Sequence, residues 1–285
     1  MIEVISGGLY TTIQDLGRFG YRRFGVPLSG AMDSYSSRLA NRLVGNSKKD
    51  AVMEITHIGP VLRFTERTEI AITGAGFSPT LNNYEIPLNT RTHIPKNSIL
   101  KFGLPGYGLR AYLSVSGGFM TEKILNSFSF YSGITQLDTL EKGDSLPFNK
   151  FEGPPAKITA SVKVPRLHFT SNILEVSPGP EFYLLSKTIQ TKLLEKKLTV
   201  TSDSNRMAYL LDGWGDLSAN DIITGPVQPG TVQLTPGGEC VVLMRDAHTT
   251  GGYSRVLQLT ESSINTLAQK KAKSEVIFKK VDLPW

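Results

Sequence analysis

Short runs rich in apolar and β-branched residues recur over most of the chain, with glycine or proline between them. "PVLRF", "EIAITG", "RAYLSVSGG", "KITASVKVPRLHF", "GTVQLTP", "CVVLM" and "RVLQLT" all have this form. β-Branched and aromatic residues in such runs suit a pleated, half-buried surface, so each predicts a strand, and many short strands at regular spacing predict a barrel or sandwich. Helical spacing occurs in three places. Asp33 is a good N-cap ahead of Tyr35, Leu39 and Leu43, with Gly45 placed to end that helix. Phe182, Leu185, Ile189 and Leu193 share one helical face after "SPGP", and Ile264, Leu267 and Ala268 follow the capping residue Thr260.

The adjacent prolines of "FEGPPAK" (151–157) break both helix and ladder, and beyond them the chain restarts with strand, turn, helix and strand. The expected fold is mainly β, built as two β-barrel-like lobes with a few short helices, over residues 1–160 and 161–285.

Composition narrows the function classes. The 285 residues are 40% hydrophobic and 20% charged, an ordinary balance for a soluble globular protein. No apolar run approaches the roughly 20 residues of a membrane span, and the first residues lack a basic segment followed by a long apolar one. A cytoplasmic protein without membrane contact is expected. The formal charge of +6 is scattered except in "QKKAKSEVIFKK" (269–280), so nucleic-acid binding is not expected. Cys240 is the one cysteine, which excludes an intrachain disulfide and a cysteine zinc cage; it opens an apolar run and is expected to be buried.

Several motifs are missing. There is no G-x-x-x-x-G-K-[ST] phosphate loop, "GAGFSP" (74–79) is no dinucleotide fingerprint, and Ser116 in "SVSGG" lacks a nucleophile elbow. His57, His93, His168 and His248 form no i, i+4 ligand pair, so no metal site is expected.

Two polar, glycine-punctuated segments carry the candidate chemistry. In "TTIQDLGRFGYRRFGVPLSGAMD" (11–33), Gln14, Asp15 and Ser29 are candidate substrate contacts, and Arg18 is a candidate catalytic donor whose planar fork suits a carboxylate or phosphate. The same residues would also serve as internal scaffolding, with Asp33 an N-cap. In "RDAHTTGGYSR" (245–255), Asp246 and His248 would share a strand face, so that a carboxylate orients an imidazole for proton transfer. Thr249, Thr250, Gly251, Gly252 and Tyr253 would hold substrate or an oxyanion; Arg206 and Gln233 join them as substrate contacts. The alternative is a Gly-Gly hairpin joining "CVVLM" to "RVLQLT". Both segments are expected to line a polar concave surface, in this chain or completed by a partner.

"TTIQDLGRFGYRRFGVPLSGAMD", "LANRLVGN", "MEITHIGPVLRF", "RAYLSVSGG", "SPGPEF", "SNRMAYLLDG" and "GTVQLTPGGECVVLMRDAHTTGGYSR" together resemble the biotin-dependent carboxyltransferase-like family that includes KipA, allophanate-hydrolase-type second subunits and the C subunits of 5-oxoprolinase. The resemblance implies cyclophilin-like β-barrels and the role of the C subunit in an ATP-dependent 5-oxoprolinase that opens a lactam amide. A KipI-like and a LamB/YcsF-like subunit would be its partners, ATP would be handled with those partners, and the chain would be inactive alone. The same resemblance allows a carboxyltransferase subunit, with biotin carried by another protein because "GAMD" has Asp33 where a biotinylated lysine would stand, or a KipA-like regulator of a kinase inhibitor. Two positions depart from the family pattern: Phe128 replaces an expected arginine, with Leu137 and Asp138 near an expected Gly-Arg, and His248 replaces a common glutamine.

Overall fold

A computed structural model describes residues 1–149, 162–215 and 219–282. The expected boundary at residues 160 and 161, with "FEGPPAK", lies outside them. The chain divides into two compact units, Met1–Arg18 with Ser29–Phe169, and Phe19–Leu28 with Thr170–Trp285. Short strands dominate both, as the β-rich runs between glycine and proline predict.

The first unit holds a six-stranded and a five-stranded sheet. Ile2, Leu62, Phe64 and Leu100 from one sheet and Ile13, Met53, Ile70 and Leu113 from the other belong to one buried core. Strands Thr68–Gly74 and Arg110–Val115 are buried at every position because helix Ser34–Leu43 packs against them. Asp33 caps that helix, accepting from the Ser36 amide at 3.1 Å. The expected apolar stripe is not its buried face, since Tyr35 is exposed and Leu39 and Leu43 are half-buried. Ser36, Ser37 and Ala40 face inward instead, small enough for the Thr73 hydroxyl to reach the Ser36 carbonyl at 2.7 Å.

The second unit closes into a barrel. Its strands run Ile173–Pro178, Ser254–Leu259, Thr231–Leu234, Cys240–Leu243, Ala208–Asp212, Lys197–Val200 and Glu275–Lys280, and the last pairs in parallel with the first. Alternate residues point inward, among them Leu174 and Val176, Tyr209 and Leu211, and Val276 and Phe278. Cys240 is buried there as expected, and burial pushes its thiol far above the ordinary value.

Two elements differ from expectation. The single helix predicted from Phe182 to Leu193 is a short 3-10 turn, Phe182–Leu184, then a break at Leu185 and a helix Lys187–Glu195 capped by Ser186. Serine in an extended conformation restarts the helix by accepting from the Ile189 amide. The strand expected through "VPRLHF" contains instead a helical turn, Leu167–Thr170.

Candidate functional site

The residues expected from the first polar segment are internal. Asp15 accepts from the Ser127 and Ser129 hydroxyls and the Gly17 amide, all at 2.7 Å, and from the Phe128 amide at 2.8 Å. Gln14 is buried, accepting from the Gly30 amide at 3.1 Å and donating to Thr12 and the Phe130 carbonyl. Arg18 is fully buried and donates to the Ser129 carbonyl. Ser29 is fully buried at a left-handed φ of 56°. Gly30 follows at φ 95°, where a Cβ would stand 2.9 Å from the Leu16 carbonyl carbon. Backbone therefore packs on backbone, and this loop is pinned to its own unit through Ser127 and Ser129. Gln14, Asp15, Arg18 and Ser29 thus form a buried network and do not line the expected concave surface, whereas Arg22 of the same segment does line a cleft.

The departure at Phe128 is conspicuous in the sequence, and the serines on either side of it are not. Those serines hold Asp15, while the Phe128 ring packs on the core with the Lys123 ammonium 5.5 Å from its centroid.

The second segment does not form the Gly-Gly hairpin. Strands Cys240–Leu243 and Ser254–Leu259 lie on opposite sides of Thr231–Leu234, so residues between them cross over that strand's end. On the way, Thr250–Gly251 pairs with Gly225–Pro226 as a two-stranded ribbon. The strand ends at Leu243, and a turn follows in which the Ala247 amide donates to the Met244 carbonyl. Asp246 and His248 consequently share no strand face. Asp246 is gripped by Arg206 at 2.7 and 3.1 Å, with side chains 12% and 6% exposed, so the expected Asp246–His248 dyad is corrected to an Arg206–Asp246 ion pair. Arg245 reaches Glu261 at 2.5 and 3.2 Å.

The remaining expected residues gather at the crossover. A Cβ on Gly251 would stand 2.8 Å from Gln233 Nε2 and 3.0 Å from His248 Nε2, so glycine is what lets these two nitrogens approach the ribbon. Gln233 is buried and donates to the Tyr253 carbonyl at 3.4 Å. The Thr249 carbonyl accepts from Val227 and the Gly252 carbonyl from Ile222, while the Thr250 and Tyr253 side chains are exposed. Burial, and then the positive charge of Arg22, pull the His248 imidazole below its ordinary value, which favours the neutral ring.

Beside this cluster lies a cleft of 490 Å³. Residues 177–180 of "SPGPEF" and 226–228 line it with Thr231, Leu257 and Gln258, and the guanidiniums of Arg22 and Arg255 complete it. Glu181 holds Arg255 at 2.6 and 2.9 Å, and those bonds draw the Glu181 carboxyl below the usual range. A Cβ on Gly179 would stand 2.2 Å from the Arg255 carbonyl oxygen, so the motif's glycine lets two backbones meet. Arg22, from the short helical turn Arg22–Phe24, donates to the Val227 carbonyl. Arg22, Arg255 and Glu181 were not foreseen as site residues; the signal was their presence inside blocks already singled out. Among the described residues, no group of three His, Cys, Asp or Glu side chains is placed to hold a metal, and no helix is long and apolar enough to cross a membrane.

A family model described as carboxyltransferase domain, subdomain A and B, matches residues 24–280. The chain belongs to that family. Among carboxyltransferase-domain relatives, it is 32% identical over 275 residues to the C subunit of 5-oxoprolinase from Escherichia coli, covering 94% of this chain and 87% of that one. The crystal structure of TTHA0988 superposes with a TM-score of 0.87 at 29% identity, covering 98% of this chain; the chain spans 55% of the length of that solved relative. The K. lactis urea amidolyase structure matches with a TM-score of 0.87 at 30% identity, over 99% of this chain and 19% of that one.

Proposed function

We propose that this chain is the C subunit of an ATP-dependent 5-oxoprolinase, acting with a KipI-like and a LamB/YcsF-like subunit. The observation that carries the reading is the near-full-length similarity to a 5-oxoprolinase C subunit, and the arginine-bearing cleft of the second unit supports it. Opening a lactam amide requires stabilisation of the carbonyl oxygen as it gains charge and a proton for the departing nitrogen. The Gln233 side-chain NH2 and the backbone N–H groups of 249–252 serve the oxygen. His248, favoured neutral by its surroundings, exchanges the proton, and Arg206–Asp246 holds the crossover that presents it. A triphosphate needs several cations or a cradle of glycine amides, and among the described residues this cleft offers one guanidinium without a carboxylate partner. ATP is therefore handled by the partner subunits, and the chain is inactive alone. Reconstitution tests this. The purified chain gives no 5-oxoproline-dependent ADP release, the complete assembly does, and a well-folded complete assembly that does not ends the proposal.

The match to urea amidolyase favours a second reading, a carboxyltransferase subunit served by biotin on another protein. Asp33, at the position where "GAMD" would need lysine, is a fully buried helix cap. Urea-dependent ADP release by the chain with a biotin carboxylase and carrier, absent with 5-oxoproline, selects this reading over the first.

A further inference from the structure

Arg22 differs from the other arginines that line or support the crossover. Arg206 is met by Asp246, Arg245 by Glu261 and Arg255 by Glu181, each through two nitrogens. Arg22 is half-buried, donates to the Val227 carbonyl, and has no carboxylate in ion-pair distance among the described residues. A carbonyl supplies a partial charge only, so among the described residues no carboxylate compensates this cation at the cleft. Because Glu181 neutralises Arg255, the lining carries one net positive charge amid Pro178, Pro226, Val227 and Leu257, with Thr231 and Gln258 adding neutral polar groups. Apolar walls, a few polar groups and a single planar cation are complementary to a small organic monoanion rather than a polyanion. The volume of 490 Å³ fits a molecule of that size.

We infer that this cleft takes a small organic acid by its carboxylate, with Arg22 as the anchoring and specificity-determining residue. The inference deepens the proposed function and rests on it for the choice of acid. Burial pulls Arg22 below its ordinary value, and Arg22 in turn lowers His248, so a carboxylate at Arg22 relieves both groups.

The test is calorimetric titration of the full chain with 5-oxoproline and with its carboxamide, which is equal in shape and uncharged. Wild type binds the acid at least about tenfold more tightly than the carboxamide, the scale of one charge-assisted contact. Arg22→Gln loses that preference and leaves carboxamide binding unchanged. Equal affinity of wild type for acid and carboxamide, no binding of the acid, or unchanged preference in a folded Arg22→Gln overturns the inference. If the variant does not fold, the wild-type comparison still decides, together with the side-chain 15N resonance of Arg22, which shifts on adding the acid and stays put on adding the carboxamide. Failure here is separable from failure of the function. An assembly that opens 5-oxoproline with an Arg22→Gln chain at unchanged KM removes the anchor and keeps the enzyme; a chain that binds the acid through Arg22 in an assembly without turnover does the reverse.

Discussion

Arg18 and Arg22 sit four residues apart in one glycine-punctuated stretch, yet they belong to different compact units and have opposite surroundings. Arg18 is fully buried and donates to the carbonyl of Ser129, whose hydroxyl is one of four groups that donate to the Asp15 carboxylate. Arg22 is half-buried, lines a cleft, and among the described residues meets a carbonyl and no carboxylate. Polar residues at equal density thus do two jobs. Where polar side chains are buried and bonded within their own unit, the residues specify a loop; where a charged side chain lines a cleft, it is available to a ligand. The same division recurs within "RDAHTTGGYSR", where Asp246 is consumed by Arg206 while His248 and Gln233 converge on Gly251.

The strongest way to break this contrast is to remove the saturated carboxylates. Asp15→Ala strands two hydroxyls and two amides, and Asp246→Ala leaves the Arg206 charge buried without its partner. Each is expected to cost about 3–5 kcal/mol of unfolding free energy, read from urea denaturation. A loss under about 1 kcal/mol would show that these residues are not structural and would make them site candidates again.

An intermediate effect is expected from acid. Glu181 is held below the ordinary carboxylate value, first by its hydrogen bonds to Arg255, so it contributes stability that is fully present above the unfolded value near pH 4.3 and is lost as pH falls through the lower folded value. Glu181→Gln removes that dependence. The urea midpoint of wild type should therefore decline more steeply below about pH 4.3 than that of the variant; parallel curves would mean the pair does not act on folding.

The smallest stability effect and the sharpest separation come from Gly251→Ala. The new methyl meets the ends of two side chains, Gln233 and His248, rather than backbone, so they move aside at an expected cost of about 1 kcal/mol or less while activity of the assembly falls at least about tenfold. Full activity in a stable variant would remove Gln233 and His248 from the chemistry.

Strands were legible because a half-buried strand writes its burial into alternate residues, as in Ile173–Pro178 and Glu275–Lys280. Caps were legible at Asp33 and Thr260 because the capping bond is local. The buried face of helix Ser34–Leu43 was not, since the space above two fully buried strands admits serine and alanine and leaves the larger Tyr35 outside.

By itself the sequence determined a mainly β protein of the carboxyltransferase-domain family and the two segments where polar side chains concentrate, because alternation, caps and glycine spacing are short-range properties of the chain. Tertiary structure alone decided which of those side chains are spent. Whether a charge is neutralised depends on partners far along the chain, Asp15 on Ser127 and Ser129, Asp246 on Arg206, Arg255 on Glu181, and Arg22, among the described residues, on the Val227 carbonyl. Coulombic and hydrogen-bond satisfaction act over a few ångströms in space, and these partners, from 40 to 205 positions apart, become neighbours only in the folded chain.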